Sequence, residues 1–248
     1  MKVGSYHFYR PRIPQQTQLA NFMAQFTGIR NITKTLLTLR HNLCNRMKLI
    51  LITTPTYFVE EDKIITTLFD EGLDILHLRK PDTAPVYAER LLTLIPEKYH
   101  KRIVVHDHFY LKEEYKLKGI HLSHRNPLIP DNYTGHVSAS CHTFDEVMAD
   151  KKMCDYVFLS PIFDSISKEG YASAFTSESI REAAEKGIID KRVIALGGVD
   201  ENNLLQVKDF GFGGAAILGG LWNKFDPASD YNYQELIAHF RKLKRLAD

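Results

Sequence analysis

From residue 48 onward the sequence predicts a single (β/α)8 barrel, and three observations predict it. Eight short apolar runs rich in β-branched residues recur along the chain. Helical patterns or long connections separate them, which is what parallel strands require. The span 48–248 also falls at the small end of the size range of that fold. The runs are apolar almost without interruption, as suits a sheet buried on both faces. A doubly wound open sheet is the rival arrangement for the same pattern.

The first strand is 48–53 (KLILIT), and the helix after it, 59–71, sets Ile64, Ile65, Leu68 and Phe69 on one face. Strands follow at 74–78 (DILHL), 102–106 (RIVVH) and 119–122 (GIHL). A fifth, 136–140 (HVSAS), leads into a helix at 143–151, where Thr143 and Glu146 have the spacing of a capping box. The sixth strand is 155–160 (DYVFLS); the helix after it, 176–187, opens on Thr176 or Ser177 and closes at Gly187. Strands 192–196 (RVIAL) and 214–218 (GAAIL) complete the set. A last helix, 231–246, ends in Lys and Arg, which suits the negative end of its dipole.

Composition narrows the function classes. With 44% apolar residues the chain can bury a core, so disorder is excluded. No apolar stretch is long enough to span a bilayer, so no membrane partner is expected. Cys44, Cys141 and Cys154 form neither a disulfide framework nor a zinc pattern, which points to a reducing, cytoplasmic setting. Residues 1–47 carry seven Lys and Arg and no Asp or Glu; since the whole chain is +2, the remainder carries −5. That leader reads as a basic N-terminal extension, and Met47 as a start site that would leave residues 1–47 outside the native protein. A transit peptide is the alternative. A nucleic-acid-binding arm is not expected, because the charges are too dispersed to form a dense patch.

In a barrel of this kind chemistry sits at the C-terminal ends of the strands. Those ends carry His77 and Arg79, His106 and Asp107, His121, Ser140 and His142, Ser160, Gly197 and Gly198, and Gly219 and Gly220. The glycine pairs follow the seventh and eighth strands, where barrels hold phosphate on backbone amides; tight turns are the competing reason for them. Arg79 suits a phosphate or a carboxylate, and Lys168, flanked by Ser165 and Ser167 after the sixth strand, extends the anionic site. His142 can exchange a proton near neutral pH, or merely precede a helix. His121 reads as a structural histidine facing a neighbouring loop, and Cys141 as a small buried thiol.

HLRKP, VVHDHFYL, GIHLS, VSASCHT, DYVFLSPIFDSISK, VIALGGV and GAAILGG occur in order over about 48–245. Together they resemble the thiamine phosphate synthase/TenI superfamily of small (β/α)8 barrels of thiamine biosynthesis. The resemblance implies an enzyme acting on thiazole phosphate, in one of two branches. The synthase branch joins hydroxymethylpyrimidine diphosphate to thiazole phosphate with Mg²⁺ and releases pyrophosphate. Against its pattern, Arg79 and Asp107 match, and Ser140, Ser165, Ser167 and Lys168 fall at diphosphate-binding positions. His77, Pro81 and His106 replace its glutamine, lysine and asparagine, and the second metal carboxylate falls on Asn126.

The TenI branch is a thiazole tautomerase that needs no metal or other cofactor, and the chain is closer to it. Its His-x-Arg resembles His77-Leu78-Arg79, and its Lys-x-Gly resembles Lys168-Glu169-Gly170. Its strand-5 histidine, the implied proton shuttle, falls on His142, with His77 as a second proton carrier. A non-catalytic thiamine-pathway binder is the third expectation. A homo-oligomer is compatible with the sequence, although no interface can be read from it.

Overall fold

Eight parallel strands close on themselves in chain order in a computed structural model, which describes residues 46–164, 175–223, 225 and 232–248. The strands are β1 (Lys48–Ile52), β2 (Ile75–Leu78), β3 (Ile103–Val105), β4 (Gly119–Leu122), β5 (His136–Cys141), β6 (Tyr156–Leu159), β7 (Val193–Leu196) and β8 (Gly214–Ile217). Closure is made by β1 on β8, with Leu49 opposite Ala215 and Leu51 opposite Ile217. The (β/α)8 barrel expected from the sequence is therefore the fold. Each strand keeps its position to within a residue or two at either end.

The helices are α1 (Glu61–Asp70), α2 (Pro85–Leu94), α3 (Leu111–Glu114), α4 (Phe144–Asp150), α5 (Ser177–Glu185), α6 (Leu204–Asp209), α7 (Gly219–Trp222) and α8 (Asn232–Ala247). The β4–β5 connection has none. Helix α1 buries Ile64, Ile65, Leu68 and Phe69, the stripe its periodicity predicts. Helix α4 starts at Thr143, whose Oγ accepts from the Glu146 N–H. Glu146 does not complete the expected box on Thr143; its carboxylate accepts the N–H of His142, one residue earlier, at 2.5 Å. The predicted cap of α5 does form, Thr176 and Ser179 bonding each other's backbone N–H. Met47 is buried, and its N–H bonds the carbonyl of Ala247. Among the described residues no helix is long and apolar enough to cross a membrane.

Period-2 alternation explains why the strands read as unbroken apolar runs. Leu49, Leu51, Leu76 and Leu78 pack outward against the helices. Ile50, Ile52, Ile75, Val104, Phe158, Ile194 and Ala216 fill the barrel interior as a separate cluster.

One charged pair lies inside this architecture. Lys80, just past β2, reaches Glu61 at 2.6 Å, and both side chains are almost fully buried. Lys80 also donates to the Thr56 carbonyl at 2.8 Å and lies over the Tyr57 ring. Removing one partner strands a buried charge, whereas replacing both removes the desolvation cost as well. Glu61→Ala is therefore expected to lower stability by about 3–5 kcal/mol in urea unfolding. The double replacement Glu61→Leu with Lys80→Met is expected to recover most of that loss.

Candidate active site

A cavity of about 480 Å³ opens at the C-terminal ends of the strands. Nine of the residues expected at the site line it: Arg79, His106, Asp107, Ser140, His142, Gly197, Gly198, Gly219 and Gly220. They come from five different strand ends, so barrel closure alone brings them together. Ser165, Ser167 and Lys168 lie outside the described residues. Ser160, one of the strand-end residues, joins the lining, as does Arg125, which was not expected there.

His142 stands on the rim with its side chain exposed to the cavity. Its Nδ1 lies 2.9 Å from the Ser160 carbonyl. A carbonyl can only accept, so Nδ1 carries the hydrogen and the neutral ring keeps its lone pair on Nε2. The ring is thus held in the tautomer that leaves a base free.

Asp107 is the sole carboxylate among the described residues of the lining. The β4–β5 connection folds back through paired backbone bonds between Ser123 and Asn126. That turn delivers the Asn126 amide nitrogen to Asp107 Oδ1 and to the His106 carbonyl, each at 2.9 Å. The reverse orientation of the amide would set oxygen against two acceptors, so the donor must face them. A hard divalent cation seeks carboxylate oxygens. Here one carboxylate remains and an N–H donor takes one of its two oxygens, so these residues do not fit the two-carboxylate Mg²⁺ site of the synthase pattern.

Of the glycines, Gly197 and Gly198 have φ of 92° and 64°, the left-handed region. A Cβ on Gly197 would meet Pro161 at 2.8 Å, and one on Gly198 would meet the Asp164 carbonyl at 2.5 Å. The chain leaving β6 therefore requires glycine at both positions, independently of any anion. A Cβ on Gly220 would lie 2.3 Å from the Val199 carbonyl, while Gly219 faces only the Asn223 side chain.

His77 and His121 both lie below the cavity floor and are fully buried. His77 does not line the cavity; it bonds His106 through Nδ1 at 2.8 Å and the Tyr156 hydroxyl through Nε2 at 2.6 Å. The expectation that His121 faces a neighbouring loop is corrected. Its ring points into the barrel between Ser138 at 2.9 Å and Ser140 at 2.8 Å, because Ile120 and Leu122 on either side take the outward face. Burial, then repulsion among these rings, pushes His77 and His106 well below the usual histidine range. Burial, then the charges of His136 and Arg79, pushes His121 down to about 3. All three are neutral at pH 7. Cys141 is a buried free thiol, pushed upward by burial and by Asp150.

The sequence profile of the TMP-TENI family, described as thiamine monophosphate synthase, matches residues 49–221. The chain belongs to the thiamine monophosphate synthase/TenI family. A crystal structure described as thiamine phosphate pyrophosphorylase from Bacteroides thetaiotaomicron is 63% identical to this TMP-TENI chain. It superposes with a TM-score of 0.76 and covers 82% of this chain and 98% of its own. A thiamine-phosphate synthase of Actinobacillus succinogenes is 28% identical over 143 residues, 55% of this chain and 63% of that protein. The match thus spans just under two thirds of that relative. A Halalkalibacterium halodurans protein of the same description is 30% identical over 56% of this chain and 70% of its own length. Membership of the TMP-TENI family covers both branches, so the branch rests on the site.

Proposed function

We propose that this chain is a thiazole tautomerase of thiamine biosynthesis, aromatising a carboxylated thiazole phosphate without a metal ion. The observation that carries the reading is the pairing of Asn126 with Asp107. It puts a hydrogen-bond donor where a metal ion would need a second carboxylate, while His142 keeps a free base on the same cavity. In this reading Nε2 of His142 takes the proton from the thiazole C2 and the imidazolium returns a proton to the exocyclic carbon. The exchange is an isomerisation and consumes nothing else. Arg79 lies on the same lining and suits the substrate carboxylate. The amides of Gly197, Gly198, Gly219 and Gly220 are the candidate phosphate donors. Lys168, Ser165 and Ser167 keep their sequence-based assignment to the anionic groups.

The second reading is the synthase, which the descriptions of the relatives favour and to which Asp107 and Ser140 contribute. Paired assays of the full chain separate the two. One supplies the carboxythiazole phosphate tautomer and follows aromatisation by absorbance. The other supplies hydroxymethylpyrimidine diphosphate with thiazole phosphate and follows pyrophosphate, with Mg²⁺ or with EDTA. Aromatisation that survives EDTA, with no pyrophosphate released, is the expected result. Mg²⁺-dependent pyrophosphate release would assign the chain to the synthase branch.

A further inference from the structure

Branched aliphatic side chains ordinarily fill the interior of a (β/α)8 barrel. In this one they share it with polar side chains. Strands β1, β7 and β8 supply Ile50, Ile52, Ile194 and Ala216. On the other side, Ile75, Val104 and Phe158 are interleaved with His77, His121, Ser138, Ser140 and Tyr156 of β2 to β6, and with His106 just past β3. Buried polar groups of this kind are costly unless every one is bonded, and the bonding here has a definite order.

Two runs of hydrogen bonds cross the interior. In the first, the Tyr156 hydroxyl meets His77 Nε2 at 2.6 Å, and His77 Nδ1 meets His106 Nε2 at 2.8 Å. In the second, Ser138 Oγ meets His121 Nδ1 at 2.9 Å, and His121 Nε2 meets Ser140 Oγ at 2.8 Å. At their inner ends, Ser138 and Tyr156 are register partners on β5 and β6. At their outer ends, His106 and Ser140 both line the cavity. Nitrogens of His77, His106 and His121 lie within 4.8 Å of one another, as in a three-histidine metal site. These nitrogens are, however, committed to one another or to hydroxyl oxygens.

Neutral imidazoles and hydroxyls each carry one hydrogen to share. Each run has two links and three hydrogens, so its polarity is fixed from one end. Suppose Tyr156 donates to His77. His77 then donates to His106 through Nδ1, and His106 presents an Nδ1–H to the cavity. In the second run Ser138 donates to the Ile120 carbonyl at 3.3 Å; it then accepts from His121 Nδ1, and His121 Nε2 accepts from Ser140. Ser140 is left offering only lone pairs. Reversing Tyr156 reverses the first run and makes His106 an acceptor.

We propose that these two runs together act as a relay from the interior that sets the cavity floor as a donor opposite an acceptor, His106 Nδ1 against Ser140 Oγ. An uncharged floor of this kind selects an uncharged heteroaromatic ring by the hydrogen-bonding pattern of its edge, while Arg79 and Arg125 on the rim receive the charged substituents. Tyr156 and His77 are positioning residues that act through His106, and His121 is one that acts through Ser140. The identity of the ring rests on the functional reading above; the relay itself does not.

The test is long-range ¹H–¹⁵N correlation on the full chain with ¹⁵N-labelled histidine, which reports the tautomer of each ring. Signals are assigned with His77→Gln, His106→Gln and His121→Gln. In the wild type each of the three rings is expected neutral and in a single tautomer from pH 6 to 8. Tyr156→Phe should leave His77 and His106 in mixed tautomers and weaken binding of the aromatic carboxythiazole phosphate about tenfold. Ser138→Ala, a smaller change that decides the matter if Tyr156→Phe fails to fold, should mix the tautomers of His121. Tautomers unchanged in these variants, or any of the three rings titrating between pH 6 and 8, would overturn the relay. Tautomers that follow the variants while ignoring the carboxythiazole phosphate would uphold the relay and count against the functional reading.

Discussion

Replacing His142 with Gln is expected to lower turnover of the carboxythiazole phosphate tautomer by about 10³-fold, in the middle of the range for a general acid–base group. Binding of the aromatic product should change little. The argument runs through the Ser160 carbonyl, which fixes the ring hydrogen on Nδ1 and leaves Nε2 as the one basic atom His142 offers the cavity. A glutamine amide can still donate to that carbonyl, so the rim keeps its shape and loses only the proton carrier. Because the side chain is exposed, thermal stability should stay within about 0.5 kcal/mol. The measurement is a pair of numbers for each protein, kcat from absorbance and product Kd from titration. A loss in kcat with Kd held marks a proton carrier, whereas a parallel loss of both marks a binding residue. Unchanged turnover would remove His142 from the chemistry altogether.

The sequence carries the barrel almost completely and the site only in part, for reasons visible in particular residues. In KLILIT, residues 49–52 are apolar without a break because Leu49 and Leu51 face helices while Ile50 and Ile52 face the interior. That double burial is what makes a parallel strand conspicuous. Ends are blurred where a flanking residue keeps the character of the run: Arg102 closes a 3₁₀ turn rather than opening β3, and His106 already faces the cavity. The rim was legible because polar residues at successive strand ends have one direction to point.

The interior was less so. His121 reads as an isolated histidine unless it is placed on the same face as His77, Ser138 and Tyr156 by alternation, two residues at a time. Tyr156 and Phe158 in DYVFLS carry that signal. The contact of Asn126 with Asp107 depends on a turn that brings two strand ends together, and no local pattern announces it. Nor does a glycine pair reveal whether it serves a turn or an anion; Gly197 and Gly198 are required by the chain after β6 in any case.

Lowering the pH from 7 to 5 is expected to cost the barrel up to about 6 kcal/mol, a large part of the stability of an ordinary domain. His77, His106 and His121 are held neutral in the folded state, with His121 down to about 3 and the other two well below the usual range, chiefly by burial. In the unfolded chain each takes up a proton near pH 6.5. Above that value neither state binds the proton, and the histidines leave stability independent of pH. Below it the unfolded chain binds protons that the folded barrel refuses, so stability falls, at up to about 1.4 kcal/mol per pH unit for each ring. At pH 5 that amounts to about 2 kcal/mol per histidine. His136, pushed to about 4 by burial and Lys118 though paired with Asp155, adds in the same direction. Urea unfolding at pH 7, 6 and 5 measures the slope directly, and His121→Asn should reduce it by about a quarter whatever it does to stability at pH 7. A flat profile between pH 7 and 5 would mean that the interior accepts charge, and a floor of neutral, tautomer-locked histidines would then be ruled out along with it.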